Sequence, residues 1–384
     1  MHIVFINYHK FVGNSGLHIF PIANLLVQNG IKVTVMVPND VGSIYAYVNH
    51  FQFDVCSFEE DPILDGEKVI LHAWTPRENV RKKTEQLAKR YKCPYFVHME
   101  DNEEQILSDY CGMHFSVLQK LPQEELDLIV PSFLSHPHYY RRFLQGAAGV
   151  SCIIDSLREF VFKNVPSLTF WPACEQEIFN IASKPDVRVR QQLGIPGDAS
   201  VITYTGNMHC SNQHEVSALY KAIELLDLEG HHVRLVRAGV NHAKFLLDID
   251  VEAPLYIERG ESSLEDIRRY ISAANILVQP GEANAFNQYR FPSKIPMFLA
   301  SGRPVVLPET NIGKHLVDGE NCIKTESGSP EDLADKMKLL IQNAELSACI
   351  GANGRHFARA HFSWQKSVDA LICFYENYFV RKKE

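Results

Sequence analysis

The sequence predicts an α/β protein built from two Rossmann-like domains facing each other across a cleft. Two observations carry this. Short apolar runs alternate with stretches of helical periodicity, and the alternation starts afresh near residue 200 after a proline-bearing gap. A chain of 384 residues is long enough for two domains of ordinary size.

Taken in order, His2 to Ile6 is a buried-strand run, and a polar loop with glycine follows from Asn7 to Ser15. Leu17, Ile19, Ile22, Ala23, Leu25 and Leu26 then recur at helical spacing up to the stop at Asn29-Gly30. Lys32 to Val37 is the next strand, and residues 69–72, 95–98, 128–130, 150–154 and 167–170 read as further strands. The gap from Trp171 to Ala199 carries three prolines. Beyond it, 201–204 is a strand, 206–213 a polar loop, 216–226 a helix and 232–237 a strand before Ala238-Gly239. Strands at 255–257, 276–279, 304–307 and 322–324 continue the pattern, and an aromatic-rich helix starts at Trp364. The expected division is a first domain over 1–172, a linker over 173–199 and a second domain over 200–363.

Composition narrows the class. Hydrophobic residues at 46% and charged residues at 22% fit well-filled globular cores. A net charge of -8 gives no chain-wide basic signature, so nucleic acid is not an expected partner. No apolar run is long enough to span a bilayer, and the start MHIVFINYHKF reads as a first buried strand rather than a signal peptide. Nine scattered cysteines without a C-x-x-C pair argue for free thiols in a reducing compartment, hence a cytoplasmic location.

In open α/β sheets, ligands bind beyond the carboxyl ends of the strands, which places the expected site between the two domains. Several segments there resemble the family-4 glycosyltransferases, a retaining, metal-independent family of GT-B fold. FNQYRFPSKIPMFLASGRPVV over 286–306 is similar to that family's donor loop and helix. VDGENC over 317–322, SPEDLA over 329–334 and PACEQEIF over 172–179 resemble its later turn, helix start and interdomain stretch. Gly13-Asn-Ser-Gly16 stands where the family has its glycine-rich acceptor loop.

The resemblance implies hexosyl transfer from a nucleotide sugar held by the second domain to a carbohydrate or glycoconjugate acceptor held by the first. It implies a role in polysaccharide biosynthesis, no cofactor and no metal, and a final helix (364–384) crossing back to the first domain. A departing diphosphate gathers negative charge, and without a metal the protein must supply the donors. Arg290, Ser293 and Lys294 stand at and before an expected helix start, with Gly206, Asn207, His209 and Arg237 at the facing strand ends. Gly260, Glu261 and Ser262 form the loop expected beside the base, or simply a turn with an N-cap. The family's two glutamates fall, by register, on Tyr289 and Met297.

On the first domain, His98, Glu100 and Asp101 at a strand end are the expected catalytic group, and His72 ends the neighbouring strand. Gly13, Asn14 and Gly16 are the acceptor-side candidates, the alternative being a tight turn into the first helix. His136-Pro-His138 has no third ligand type nearby and is not expected to hold metal. The basic stretch Arg81 to Lys92 reads as a solvated helix face, or as a peripheral contact with an anionic inner membrane face. The rival functional reading is a GT-B relative without catalysis, serving as a nucleotide-sugar-binding or partner subunit; a sugar-nucleotide epimerase is the third.

Overall fold

The computed structural model describes residues 1–11, 13–46, 50–62, 64, 68–209, 211–242 and 249–382. They fall into two compact units: Met1–Pro172 with Tyr289–Phe291 and Ser363–Glu384, and Ala173–Gln288 with Pro292–Phe362.

Unit 1 holds a seven-stranded parallel sheet in the order β3-β2-β1-β4-β5-β6-β7. The strands are β1 (His2–Asn7), β2 (Lys32–Val37), β3 (Asp54–Ser57), β4 (Val69–Trp74), β5 (Tyr95–Met99), β6 (Gly149–Cys152) and β7 (Ser167–Thr169). Near-continuous burial of β1, β2 and β4 is what a sheet covered on both faces requires. Strand order reverses between β1 and β4, where Asn7 lies opposite Trp74, so the topological switch point is at these two carboxyl ends. The first helix, Asn14–Gln28, buries His18, Ile19, Ile22, Ala23 and Leu26, one face of its 3.6-residue period. The final helix, Trp364–Arg381, is N-capped by Ser363 and packs against the first helix within this unit. Its Val368, Leu371 and Tyr375 are fully buried, each stabilising the unit by about 2 kcal/mol.

Unit 2 holds a six-stranded parallel sheet in the order β10-β9-β8-β11-β12-β13. Its strands are β8 (Ser200–Thr205), β9 (Val233–Ala238), β10 (Tyr256–Glu258), β11 (Ile276–Val278), β12 (Val305–Pro308) and β13 (Ile323–Thr325). Helices Gln213–Leu228 and Pro330–Gln342 pack on each other and cover one face through Leu219, Ile223, Leu333 and Met337. Here the order reverses between β8 and β11, so Gly206 and Gln279, each the first residue after its strand, flank the switch point.

Two expectations need correction. Residues 128–130 are not a strand: Gln123–Ile129 is a helix, and Leu128 is 87% exposed. Pro122 at its N-cap and Glu124 and Glu125 in its first turn are helix-start signals that outweigh a three-residue apolar run. The stretch 173–199 is not bare linker either. It carries a 3-10 turn (Gln176–Asn180) and a helix (Val187–Gln192). Arg303 donates to the carbonyls of Ser183, Lys184 and Ser272, and Arg355 to that of Ile181, which fastens this stretch to unit 2.

Candidate functional site

At the unit 2 switch point, three loops meet at close range. Gly206 N–H donates to the Ala238 carbonyl at 2.7 Å and Gly239 N–H to the Gly260 carbonyl at 2.6 Å. A Cβ on Gly239, whose φ is +135°, would overlap the Gly206 carbonyl, so this approach demands glycine. Asn207 braces the same junction, accepting from Val240 N–H at 2.8 Å through its side chain. Its carbonyl accepts from Asn212 Nδ2 at 3.0 Å, and Asn212 Oδ1 accepts from His209 N–H at 2.8 Å.

Lys294 reaches this junction from the N-cap position of helix Ile295–Ala300. That helix has only six residues, so its own dipole adds little, and the cation is the main positive feature. Its ammonium donates to Gln279 Oε1 at 3.0 Å and lies 4.7 Å from the Tyr204 ring centroid. A Cβ on Gly206 would come within 2.8 Å of Lys294 Nζ, which places the ammonium directly against that strand end. Arg237, 3% exposed at its side chain, is already engaged: Nε donates to Glu258 at 2.8 Å, while Tyr220 Oη also binds Glu258. Burial opposes its charge, but Tyr220 and Glu258 raise its pKa overall.

The remaining second-domain candidates are spread around this centre. Gly260 has φ +56° and its carbonyl is used by Gly239; Glu261 is exposed, and Ser262 Oγ donates to the Gly260 carbonyl at 3.3 Å. Ser263, not Ser262, caps helix Leu264–Ala273. Ser293 and Met297 are half-buried. Tyr289 and Arg290 belong instead to unit 1, where Tyr289 Oη donates to Glu159 at 2.8 Å and its ring packs 5.2 Å from Phe160.

In unit 1 the row Asn7, Trp74, His98, Ser151 crosses the carboxyl ends of β1, β4, β5 and β6 in register. His98 is fully buried, 4.1 Å from Trp74 and stacked 5.0 Å from Phe170, with Nδ1 hydrogen-bonded to Ser151 Oγ at 2.8 Å. Burial lowers its pKa to about 3, with Glu100 opposing, so the ring is neutral. Its Nε2 has no partner.

Glu100 accepts from Ser15 Oγ, from His18 Nδ1 at 2.9 Å and from Trp74 Nε1 at 2.9 Å. Burial alone would raise its pKa, but the His18 and Ser15 bonds and the two imidazoles lower it to about 2. Asp101 is half-buried just beyond, raised to about 6 by burial and by Glu100 and Glu103 against the pull of Arg77 and Arg290. Arg77 lies 3.9 Å over the Tyr8 ring and 3.5 Å from Glu103.

His72 is fully buried with both ring nitrogens hydrogen-bonded, to Tyr375 Oη at 2.6 Å and Ser151 Oγ at 3.2 Å. Gly13 and Asn14 are exposed at the start of the first helix. Gly16 is buried, and a Cβ there would overlap the Phe11 carbonyl, so its smallness serves helix packing. Sequence reasoning missed Asn7 and Thr75 at the unit 1 switch point, where Asn7 Oδ1 and Thr75 Oγ1 are buried without partners and Thr75 has φ +83°. A β-branched residue at that φ is strained by roughly 1–3 kcal/mol.

The other flagged clusters are quieter. Arg81 pairs with Glu78 and Glu85, Lys82 with Glu78 and Arg90 with Asp61, while Lys83 is buried against the Phe58 carbonyl. Among the described residues no group of three His, Cys, Asp or Glu side chains is placed to hold a metal ion, and no helix is long and apolar enough to cross a membrane.

Residues 199–343 match the family model described as Glycosyl transferases group 1. Over 118 residues, 30% of this chain, the sequence is 29% identical to an uncharacterised glycosyltransferase of Methanocaldococcus jannaschii, spanning 32% of that relative's length. Among solved structures, sucrose-phosphate synthase of Thermosynechococcus elongatus matches with a TM-score of 0.70 at 13% identity, covering 99% of this chain and 100% of that one. HepE of Anabaena, in complex with UDP and glucose, matches with a TM-score of 0.68 at 15% identity, covering 97% and 98%. These likenesses show the fold, GT-B with two Rossmann-like units, over nearly the whole chain.

Proposed function

We propose that the protein is a retaining glycosyltransferase, moving a hexose from a nucleotide sugar bound by unit 2 to a carbohydrate or glycoconjugate acceptor, without a divalent metal and in the cytoplasm. One observation carries the reading: a lysine ammonium is held against a glycine strand end at the unit 2 switch point, within the stretch that matches the glycosyltransferase model. This is the position where α/β sheets bind phosphate-bearing ligands. In transfer with retention, the anomeric carbon–diphosphate bond breaks, a bond to the acceptor oxygen forms on the same face, and the acceptor's hydroxyl proton passes to the departing diphosphate. Lys294 then stabilises the charge left on the departing diphosphate.

On unit 1, Glu100 already accepts from three donors, which supports Asp101 as the carboxylate that orients the acceptor hydroxyl, while neutral His98, fully buried against Trp74 and Phe170, shapes the strand ends without touching the sugar. HepE carries UDP and glucose, which supports UDP-sugars as the first donors to test. The test is a thermal-shift panel of nucleoside diphosphates and nucleotide sugars, with and without EDTA. Binding at 100 times the dissociation constant stabilises by about 2.7 kcal/mol. No shift with any nucleotide refutes the reading; a shift abolished by EDTA refutes its metal-free part.

A second reading has its own observation. Tyr289 and Met297 stand where the family resemblance places carboxylates, and the Tyr289 hydroxyl is spent on Glu159. A binding subunit without catalysis fits this. Donor hydrolysis, measured with and without acceptor sugars, separates the two: binding with no turnover favours the subunit.

A further inference from the structure

We infer that Gln279 is a positioning residue that fixes the Lys294 ammonium for a nucleoside diphosphate; this rests on the nucleotide-sugar reading of unit 2. Gln279 is 5% exposed and is the first residue after β11, the neighbour of β8, whose own first following residue is Gly206. Its amide has one orientation. Nε2 donates to the Pro280 carbonyl at 2.7 Å, which leaves Oε1 to accept from Lys294 Nζ at 3.0 Å. An ammonium has three donors on a flexible four-carbon stem and costs about 2 kcal/mol of rotamer entropy to immobilise. Gln279 bears that cost before the ligand arrives.

The remaining surroundings agree. The Tyr204 ring lies 4.7 Å from Nζ, and Gly206 leaves the space a side chain would take from it. An amide oxygen and an aromatic face both hold a cation without cancelling its charge, whereas a carboxylate at position 279 would keep the hydrogen bond and neutralise the ion. Glutamine at 279 therefore orients the ammonium without adding a countercharge of its own.

The experiment is a binding cycle by isothermal titration on the full chain. It uses whichever of UDP, GDP, ADP and dTDP the wild type binds most tightly, and the matching nucleoside. Gln279→Leu is expected to weaken the diphosphate about tenfold and Gln279→Glu more, with nucleoside affinity unchanged and the far-ultraviolet spectrum intact. In a Lys294→Met background, neither substitution at 279 should weaken the diphosphate further, because Gln279 acts through the ammonium. Equal losses for nucleoside and diphosphate, or losses that add in the Lys294→Met background, overturn the inference while leaving the functional reading standing. A wild type that binds none of the four overturns both.

Discussion

The Glu100 carboxylate accepts a hydrogen bond from His18 Nδ1 at 2.9 Å, joining the end of β5 to a residue 82 positions earlier on the first helix. With Ser15 and Trp74 it forms a buried knot that fixes the first helix against the strand ends of unit 1. Glu100→Leu leaves three buried donors unsatisfied and is expected to destabilise unit 1 by about 3 kcal/mol or more. Urea unfolding followed by tryptophan fluorescence measures it. The folded pKa is lowered to about 2 from the ordinary glutamate value of 4.5. The stabilisation is therefore present above about pH 4.5 and is lost as pH falls towards 2. A wild type whose acid unfolding is unchanged by Glu100→Gln would contradict this.

Asp101 behaves oppositely. Its folded pKa is raised to about 6 from 3.8, chiefly by burial. A raised carboxyl favours the folded state most below about pH 4, and that contribution is lost as pH rises through 6. Asp101→Asn is expected to gain about 1 kcal/mol or more of stability at pH 7.5, with the gain vanishing near pH 4. Because the carboxylate orients the acceptor in the proposed reaction, the same substitution should cost about 100-fold in turnover and remove the acid limb of the pH–rate profile near 6. Greater stability with unchanged turnover would leave Asp101 out of the chemistry.

The sequence made the architecture readable because each buried strand is a near-continuous apolar run, as in Ile3 to Ile6 or Val201 to Tyr204. Lys294 stands out in the sequence through its local motif, and the fold sets its ammonium against Gly206. The partners of these residues were not readable. Glu100 with Ser15, His18 and Trp74, and Lys294 with Gln279 and Tyr204, are chosen by strand order across the sheet, and no local pattern encodes that order. Leu128 shows the other limit, since three apolar residues in a row are compatible with either a strand or one turn of helix. The influence of Arg290 on Asp101, which it draws towards ionisation within unit 1, is likewise set by the fold and not by local sequence.

The glycines at the unit 2 strand ends should separate function from folding. The nearest atoms to a Cβ at position 206 would be side-chain atoms, Lys294 Nζ and Tyr204 Oη at 2.8 Å and Tyr204 Cζ at 3.0 Å, rather than backbone. Gly206→Ala is expected to keep its unfolding midpoint within a few degrees while weakening diphosphate binding about tenfold, because the ammonium is displaced. Gly239→Ala meets rigid backbone at a φ of +135° and should destabilise unit 2 by several kcal/mol. Differential scanning calorimetry with nucleotide titration reads both. If Gly206→Ala unfolds the protein as Gly239→Ala does, its role is in packing rather than in leaving space for the cation.

Lys294 itself carries the sharpest expectation. Charge on the leaving diphosphate grows towards the transition state, so a cation beside it should contribute more to turnover than to ground-state binding. Lys294→Ala is expected to lower kcat by about 100-fold and donor affinity by about tenfold, with the acceptor KM close to normal. Lys294→Arg restores charge, but a planar guanidinium cannot reproduce a point-like ammonium seated between Gln279 Oε1 and the Tyr204 ring, so rescue should be partial. Lys83→Ala is the control, since Lys83 lies in unit 1, where it donates to the Phe58 carbonyl at 2.5 Å. Steady-state kinetics with donor and acceptor varied separately decides the matter. Unchanged donor kinetics in Lys294→Ala, with a loss in Lys83→Ala, would move the donor site out of unit 2 and remove the basis for reading this junction as a phosphate cradle.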